Sequence, residues 1–270
     1  MNVIPLVLVV FLAGLFLFPL YWMAIGSFEP IRWSPKYPPD FWPVDVTLRN
    51  YRAMTANYPF LRWTANSVIV AGSTTAISVG AALAAGYAFA KKRFPGRDVL
   101  FWLLLSTVMI PFYARLIPLF LTMSRLGLYD TYPGVFLPLC CQAGNIFLAR
   151  QYMSTLPSEL IDSARADGAS ELQVFARVIL PLSKPLVAAL AIFNFVWAWR
   201  SFFWPLVATG SDEMRVLPTA VATVCSFPGG LSEYGLAMAG AMLVTAPTCV
   251  VFVLFQRYFV RGITMGAVKT

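Results

Sequence analysis

The chain has no histidine. That excludes imidazole acid–base catalysis, imidazole metal ligation and a histidine proton relay. Charge is scarce: 12 acidic and 20 basic residues in 270, or 12% of the chain. A soluble domain carries about 25%. The four cysteines (Cys140, Cys141, Cys225, Cys249) show no CxxC pair and no zinc spacing. They read as buried small apolar residues. No G-x-x-x-x-G-K-[ST] stretch occurs, so no P-loop can cradle nucleotide phosphates. No carboxylate pair falls within an apolar run. The chain is therefore read as a non-enzyme, with no catalytic residue, no metal ligand and no cofactor of its own. The net charge of +8 does not point to nucleic acid, because the bases are scattered among apolar runs.

What is abundant is apolar surface, at 59% of residues. A membrane crossing needs about 20 mostly apolar residues. Six stretches qualify, at about 3–25, 64–90, 99–123, 134–153, 185–207 and 235–255. The expected fold is all-α: a polytopic protein with six transmembrane helices in lipid, one domain over 1–270. The first stretch does not read as a signal peptide, since no base precedes it and no A-x-A site follows closely. Lys91, Lys92, Arg93 and Arg97 put four bases in seven positions beside a crossing, which marks the cytoplasmic side. Counting crossings from there places 156–181 and both termini inside. Inside loops then hold eleven bases and outside segments seven.

Several features call for a role. Gly72, Ala76, Gly80, Ala84 and Ala88 recur every fourth residue of the second stretch. Such a stripe lets backbones approach closely, within the subunit or against a sister subunit. Residues 27–64 are rich in Pro, Trp and Tyr, either as an interfacial belt or as a surface for a docked protein. Arg115 lies within the third stretch, where Pro111 and Pro118 can bend the helix. Arg200 lies in the fifth, beside Trp197, Trp199 and Trp204 and after Asn194. Charge at membrane depth is costly, which makes both arginines candidates for a solute path. Arg200 can hold a sugar ring or an anionic head group with its aromatic neighbours, or it can snorkel to the outer interface.

The longest charged island is 156–181, with Glu159, Asp162, Asp167 and Glu171 against Arg165 and Arg177. Ser158 can cap a helix whose first turn suits Glu159 and Asp162. Gly168 ends it in the left-handed conformation. Ser170 and Gln173 have capping-box spacing and open a second helix, which Pro181 stops. Leu160, Ile161 and Ala164 form one apolar face, and Leu172, Phe175 and Ile179 another. The plain alternative is a solvated loop.

Leu156-Pro157, Glu159-Leu160, Asp162-Ser163-Ala164, Asp167-Gly168-Ala169 and Ile179-Leu180-Pro181 resemble the "EAA" loop of binding-protein-dependent ABC importer permeases. Asp162 and Ser163 stand where that family usually has Glu and Ala. The likeness extends along the chain, through Phe18 to Met23, Asn66-Ser67, Gly86 to Ala90, Phe94 to Arg97, Trp199 to Leu206 and Gln256 to Lys269. In the Trp199 segment Arg200 replaces the usual Asn. Family members begin with a short basic tail, so the start here reads as trimmed.

The resemblance implies a type I ABC importer permease fold, in the prokaryotic inner membrane, of the sugar-importer class. It implies a cytoplasmic coupling helix between spans 4 and 5, with Glu159, Asp162, Ser163, Ala164, Asp167, Gly168 and Ala169 at the ATPase interface. It also implies a second, different permease, two ATP-binding subunits that use ATP and Mg, and an extracytoplasmic solute-binding protein. Two other classes fit the residues alone, a self-contained secondary carrier and a membrane scaffold. The carrier lacks an acidic or histidine relay in its spans.

Overall fold

The structure, a computed structural model, describes residues 3–30, 41–43, 45–226 and 234–267, with side chains over 5–256 of these. Every regular element among the described residues is helical. Three helices are long and apolar enough to cross a membrane unaided: α1 (Val3–Phe28), α3 (Phe60–Lys91) and α14 (Tyr234–Ala267). Between α1 and α3 lies the short α2 (Arg49–Asn57). At 32 residues, α3 is about 48 Å long.

The middle of the chain is broken into bent pairs. Helix α4 (Arg97–Ser106) runs through a 3-10 turn, Thr107–Met109, and meets α5 (Phe112–Arg125) at 103°. The cause is Pro111. It has no N–H to continue the ladder, and it holds Ile110 extended at φ −82°, ψ 115°. The expected third span is therefore two helices at a sharp angle. Helices α6 (Tyr132–Cys140) and α7 (Ala143–Ser154) meet at 45° across the extended Cys141 and Gln142. The charged island forms α8 (Ser158–Ala166), then α9 (Glu171–Val174), a π turn at Phe175–Ile179 and α10 (Leu180–Leu182). Helix α11 (Lys184–Trp199) leaves this run at 77°. The expected fifth span continues past a break into α12 (Phe203–Ala208). Between the fifth and sixth apolar stretches lies a further helix, α13 (Leu217–Ser226), whose Leu217 and Ala220 are fully buried.

The chain forms two compact units, residues 1–66 with 215–250, and 67–214 with 251–270. In the first, Asn50 ties α2 to the end of α1: its Nδ2 donates to Ser27 O at 2.9 Å and Glu29 O at 2.6 Å. Tyr51 donates to Ser27 Oγ, and Trp22 to the Tyr234 hydroxyl. Met54 is wholly buried below Gly240, where any Cβ would strike Val221. Phe41 and Trp42, in the Trp-rich segment, are exposed and pack edge-on to Trp22 and Tyr21.

In the second unit, the core joins Val79, Leu83 and Tyr87 of α3 to Ile146 and Met153 of α7, Ile161 of α8 and Leu190 of α11. Gly86 permits the approach of α7, since a Cβ there would lie 2.5 Å from Ala149 Cβ. This fixes which side of α3 faces inward. Gly72, Ala76, Gly80 and Ala84 consequently lie exposed on the other side while Ala88 is half-buried, so most of the small-residue stripe does not pack within this chain. The cysteines also depart from expectation: only Cys140 is buried, Cys225 is half-buried, and Cys141 and Cys249 are exposed. Much of the described surface is apolar: side chains from Leu6 to Phe18 and Val99, Leu100, Trp102 and Leu103 lie open. A lone soluble domain does not expose apolar faces of that extent.

Candidate functional site

Two constellations stand out, and both lie within the second unit. The first is the charged island. Helix α8 starts one residue earlier than the sequence suggests. Pro157 is its N-cap and Ser158 its first helical residue, so Ser158 makes no cap hydrogen bond. Lys91 Nζ instead donates to Ser158 Oγ at 3.3 Å and to Leu156 O at 2.6 Å, fixing the chain as it enters α8. The helix ends as expected. Gly168 takes φ +82°, with Ala169 N donating to Ala164 O and Gly168 N to Arg165 O. This is a Schellman closure. Ser170 and Gln173 then form a full capping box.

The second apolar face differs from the expected one. A helical period joins Leu172, Phe175 and Ile179, but Leu172 is 76% exposed. The π turn widens the spacing to five, so Val174 and Ile179 share the buried face. The helix also runs one residue past Pro181 and turns at Ser183. In α8, Ile161 is buried, Ala164 is half-buried and Leu160 lies open. Burying Ile161 is worth roughly 1.5–3 kcal/mol.

Glu171 is the hub. Its carboxylate accepts from the Tyr87 hydroxyl at 3.2 Å and from Arg165 Nε at 3.1 Å, and it pairs with Lys92. Arg165 also reaches Asp162 at 3.0 Å. The Lys92 hydrogen bond, helped by Arg165 and Tyr87, holds the Glu171 carboxyl below the usual carboxylate range. Glu171 in turn holds the Arg165 guanidinium above its usual range. The result is a tie from the end of α3 to the α8–α9 turn. Around it Glu159, Asp162, Ser163, Asp167 and Gly168 are exposed on one surface, while Ala164 and Ala169 pack inward. The acids of the island are legible in sequence. That Lys92 and Tyr87, some 80 residues earlier, meet Glu171 is not.

The second constellation is an open recess of about 450 Å³ lined by Phe112, Arg115, Trp197, Arg200, Phe203 and Trp204, among others. The break at Pro111 puts Phe112 and Arg115 in the first turn of α5. Arg200 caps the C-terminus of α11, with its N–H on Val196 O. Trp204 is fixed by donating Nε1–H to Val135 O at 2.9 Å. Tyr113 and Phe203 meet edge-to-face at 5.3 Å. The structure thus brings Arg115 and Arg200 to one cavity. It does not bring the other two expected residues there. Trp199 is buried and stacks on Phe195. Asn194 is 2% exposed and spends its polar atoms inside: Asn145 Nδ2 and Ser78 Oγ donate to its Oδ1 at 2.8 and 3.2 Å, and its Nδ2 donates to Leu190 O. Asn145 and Ser78, unremarked in sequence, complete this knot between α3, α7 and α11.

Among the described residues no cluster of three or more His, Cys, Asp or Glu is placed to hold a metal ion. Residues 54–265 match the family described as binding-protein-dependent transport system inner membrane component. The chain is 37% identical to the arabinooligosaccharides transport system permease protein AraQ of Halalkalibacterium halodurans, over 96% of this chain and 93% of that one. It is 36% identical to the sn-glycerol-3-phosphate transport system permease protein UgpE of Yersinia pestis, over 76% and 73%. It superposes with a TM-score of 0.82, at 26% identity and 95% coverage of both chains, on a bacterial ABC transporter involved in import of the acidic polysaccharide alginate. With an all-helical architecture, apolar spans and this likeness over nearly its whole length, the chain belongs to the family of binding-protein-dependent inner-membrane transport components, as a multi-pass ABC permease rather than an enzyme.

Proposed function

We propose that this chain is one of two different permease subunits of an ATP-driven importer for a saccharide or saccharide-like solute. An extracytoplasmic binding protein delivers the solute. Two separate ATPase subunits bind and hydrolyse ATP with Mg. The chain acts as one transmembrane domain of six crossings, α1, α3, α4–α5, α6–α7, α11–α12 and α14, with both termini in the cytoplasm. Helices α8 and α9 are the coupling element, with Glu159, Asp162, Ser163, Asp167 and Gly168 facing the ATPase and Ala164 and Ala169 seating them. Arg115 and Arg200 line the solute path, and the buried Trp199 and Asn194 pack the helices instead.

The observation that carries this reading is the Glu171 tie. A loop that only needed solvation would not require two capped helices locked to the end of a long span. A push on α8 is passed through Lys92 and Tyr87 directly into α3. A secondary carrier would have no use for such a device.

The test is purification in mild detergent from the native membrane, followed by mass spectrometry of the companions. Co-purification of a second permease and a P-loop ATPase is the expected result. A lone homo-oligomer that moves solute on an ion gradient would establish the secondary carrier instead.

A further inference from the structure

We infer that the Arg115–Arg200 recess receives the anionic group of its solute, so that this importer takes an acidic saccharide bearing a carboxylate or a phosphate. The inference rests on the importer reading above and adds the charge of the cargo to it.

The geometry begins with two guanidinium groups lining one cavity. Among the described residues, neither forms a salt bridge with any carboxylate. Two cations that share a recess without an acid between them repel each other and draw in a counter-charge.

Local helix energetics explain only one of the two. Arg200 sits at the C-terminal end of α11, where a cation suits the helix dipole. Arg115 sits in the first turn of α5, at the positive end, and that turn contains no acid. A cation is disfavoured there. Its presence is accounted for if an anion comes between it and Arg200, because the same positive helix end then attracts the anion too. Discontinuous membrane helices use their free N-termini in this way toward anionic substrate groups. The 103° break at Pro111 creates such an end.

The rest of the lining suits a saccharide. Phe112, Trp197 and Phe203 line it with aromatic rings, while Trp204 is buried behind the surface and held by its bond to Val135 O. The volume, about 450 Å³, falls within the roughly 300–1,000 Å³ of small-molecule sites. An arginine fork matches carboxylate and phosphate geometry in a way that lysine does not.

The test uses the complete importer with its binding protein in phosphatidylcholine vesicles. Probes are offered as pairs matched in size: glycerol phosphate against glycerol, and a galacturonate trisaccharide against a galactose trisaccharide. Expected is ATP-driven uptake of an acidic probe, reduced at least about tenfold by Arg200→Gln and by Arg115→Gln, as for loss of one charge-assisted bond. Arg200→Lys should keep more uptake than Arg200→Gln.

Uptake of neutral probes alone, or acidic uptake unchanged in both variants, overturns the inference. It leaves the importer reading standing and gives Arg200 to the membrane interface. If a glutamine variant fails to co-purify with the ATPase, Arg200→Lys and Arg115→Lys decide. Weakened acidic uptake supports the inference, and unchanged uptake overturns it. If no probe shows ATP-driven flux while the second permease and the ATPase co-purify, the importer reading stands and the inference is overturned; if they do not co-purify, both fall.

Discussion

Asn194 shows how a polar residue in an apolar run misleads. In the sequence it lies in the fifth apolar stretch, near Arg200, and invites a solute role. In the structure it is buried and bonded to Asn145, Ser78 and Leu190. Asn194→Ala leaves the Asn145 amide and the Ser78 hydroxyl with only each other. A buried group stripped of its partner costs about 1–3 kcal/mol, and side-chain bonds within membranes average nearer 0.6 kcal/mol. Each kcal/mol lowers the melting temperature of a chain this size by roughly 2–4 °C. The expected result is a lower melting temperature in detergent with solute affinity unchanged. An affinity loss without a stability loss would move Asn194 back to the solute path. Sequence could not separate these outcomes, because Ser78 and Asn145 are 116 and 49 residues away.

At the same scale, Glu171 carries a pH statement. Its folded pKa lies below the ordinary value, first through Lys92 and then through Arg165 and Tyr87. A depressed carboxylate stabilises the fold above its unfolded pKa, about 4.3. That contribution is lost only as pH falls through the lower, folded value. Glu171→Gln should therefore lower the melting temperature by the same small amount at about pH 7 and pH 5.5, the effect being modest because the pair is exposed. A difference that shrinks already at pH 5.5 would show that Glu171 is not held low.

At the scale of elements, the charged island divides sharply into what sequence reveals and what it hides. Gly168 and the Ser170–Gln173 box were legible because caps are made by residues within five positions of each other. The π turn was not. It exists because Val174 and Ile179 are both buried against α3, α7 and α8 partners from distant sequence. The same limit hid the exposed stripe on α3, since close packing of α7 at Gly86 decides which face turns inward. Gly168 then yields a graded prediction. At φ +82°, alanine fits at a cost of about 1–2 kcal/mol, whereas proline, fixed near −65°, cannot adopt the turn. Gly168→Pro should remain in the membrane but lose solute-stimulated ATPase activity, with Gly168→Ala in between. Wild-type stimulation in the proline variant would mean that α8 and α9 do not couple through this turn.

At the scale of the molecule, the number of crossings decides what the broken helices are for. Composition gave six apolar stretches, and lengths alone cannot distinguish a bent crossing from a re-entrant hairpin. Three of the six are single helices, and the sharpest of the bent pairs turns by 103°. Parity does not help. If α4–α5 and α6–α7 both re-enter, the chain still arrives at the charged island on the side where Lys91 left it. Only the turn between α5 and α6 discriminates. It is built to stay put: Gly127 has φ +69°, and Asp130 accepts from the Gly210 and Ser211 N–H groups at 2.9 and 3.1 Å. Burial alone would raise the Asp130 carboxyl, but those N–H groups hold it below its usual value. Leu126, in the same turn, is 63% exposed, so cysteine there is a mild probe. With the four native cysteines replaced, Leu126→Cys in the assembled importer should react with an impermeant maleimide in right-side-out vesicles. Arg93→Cys, an exposed position just after α3, should react only in inverted ones. Labelling of both from the same, inner face would mean that α4–α5 re-enters. The Arg115 recess would then open toward the cytoplasm, and the path of the solute would have to be redrawn from that side.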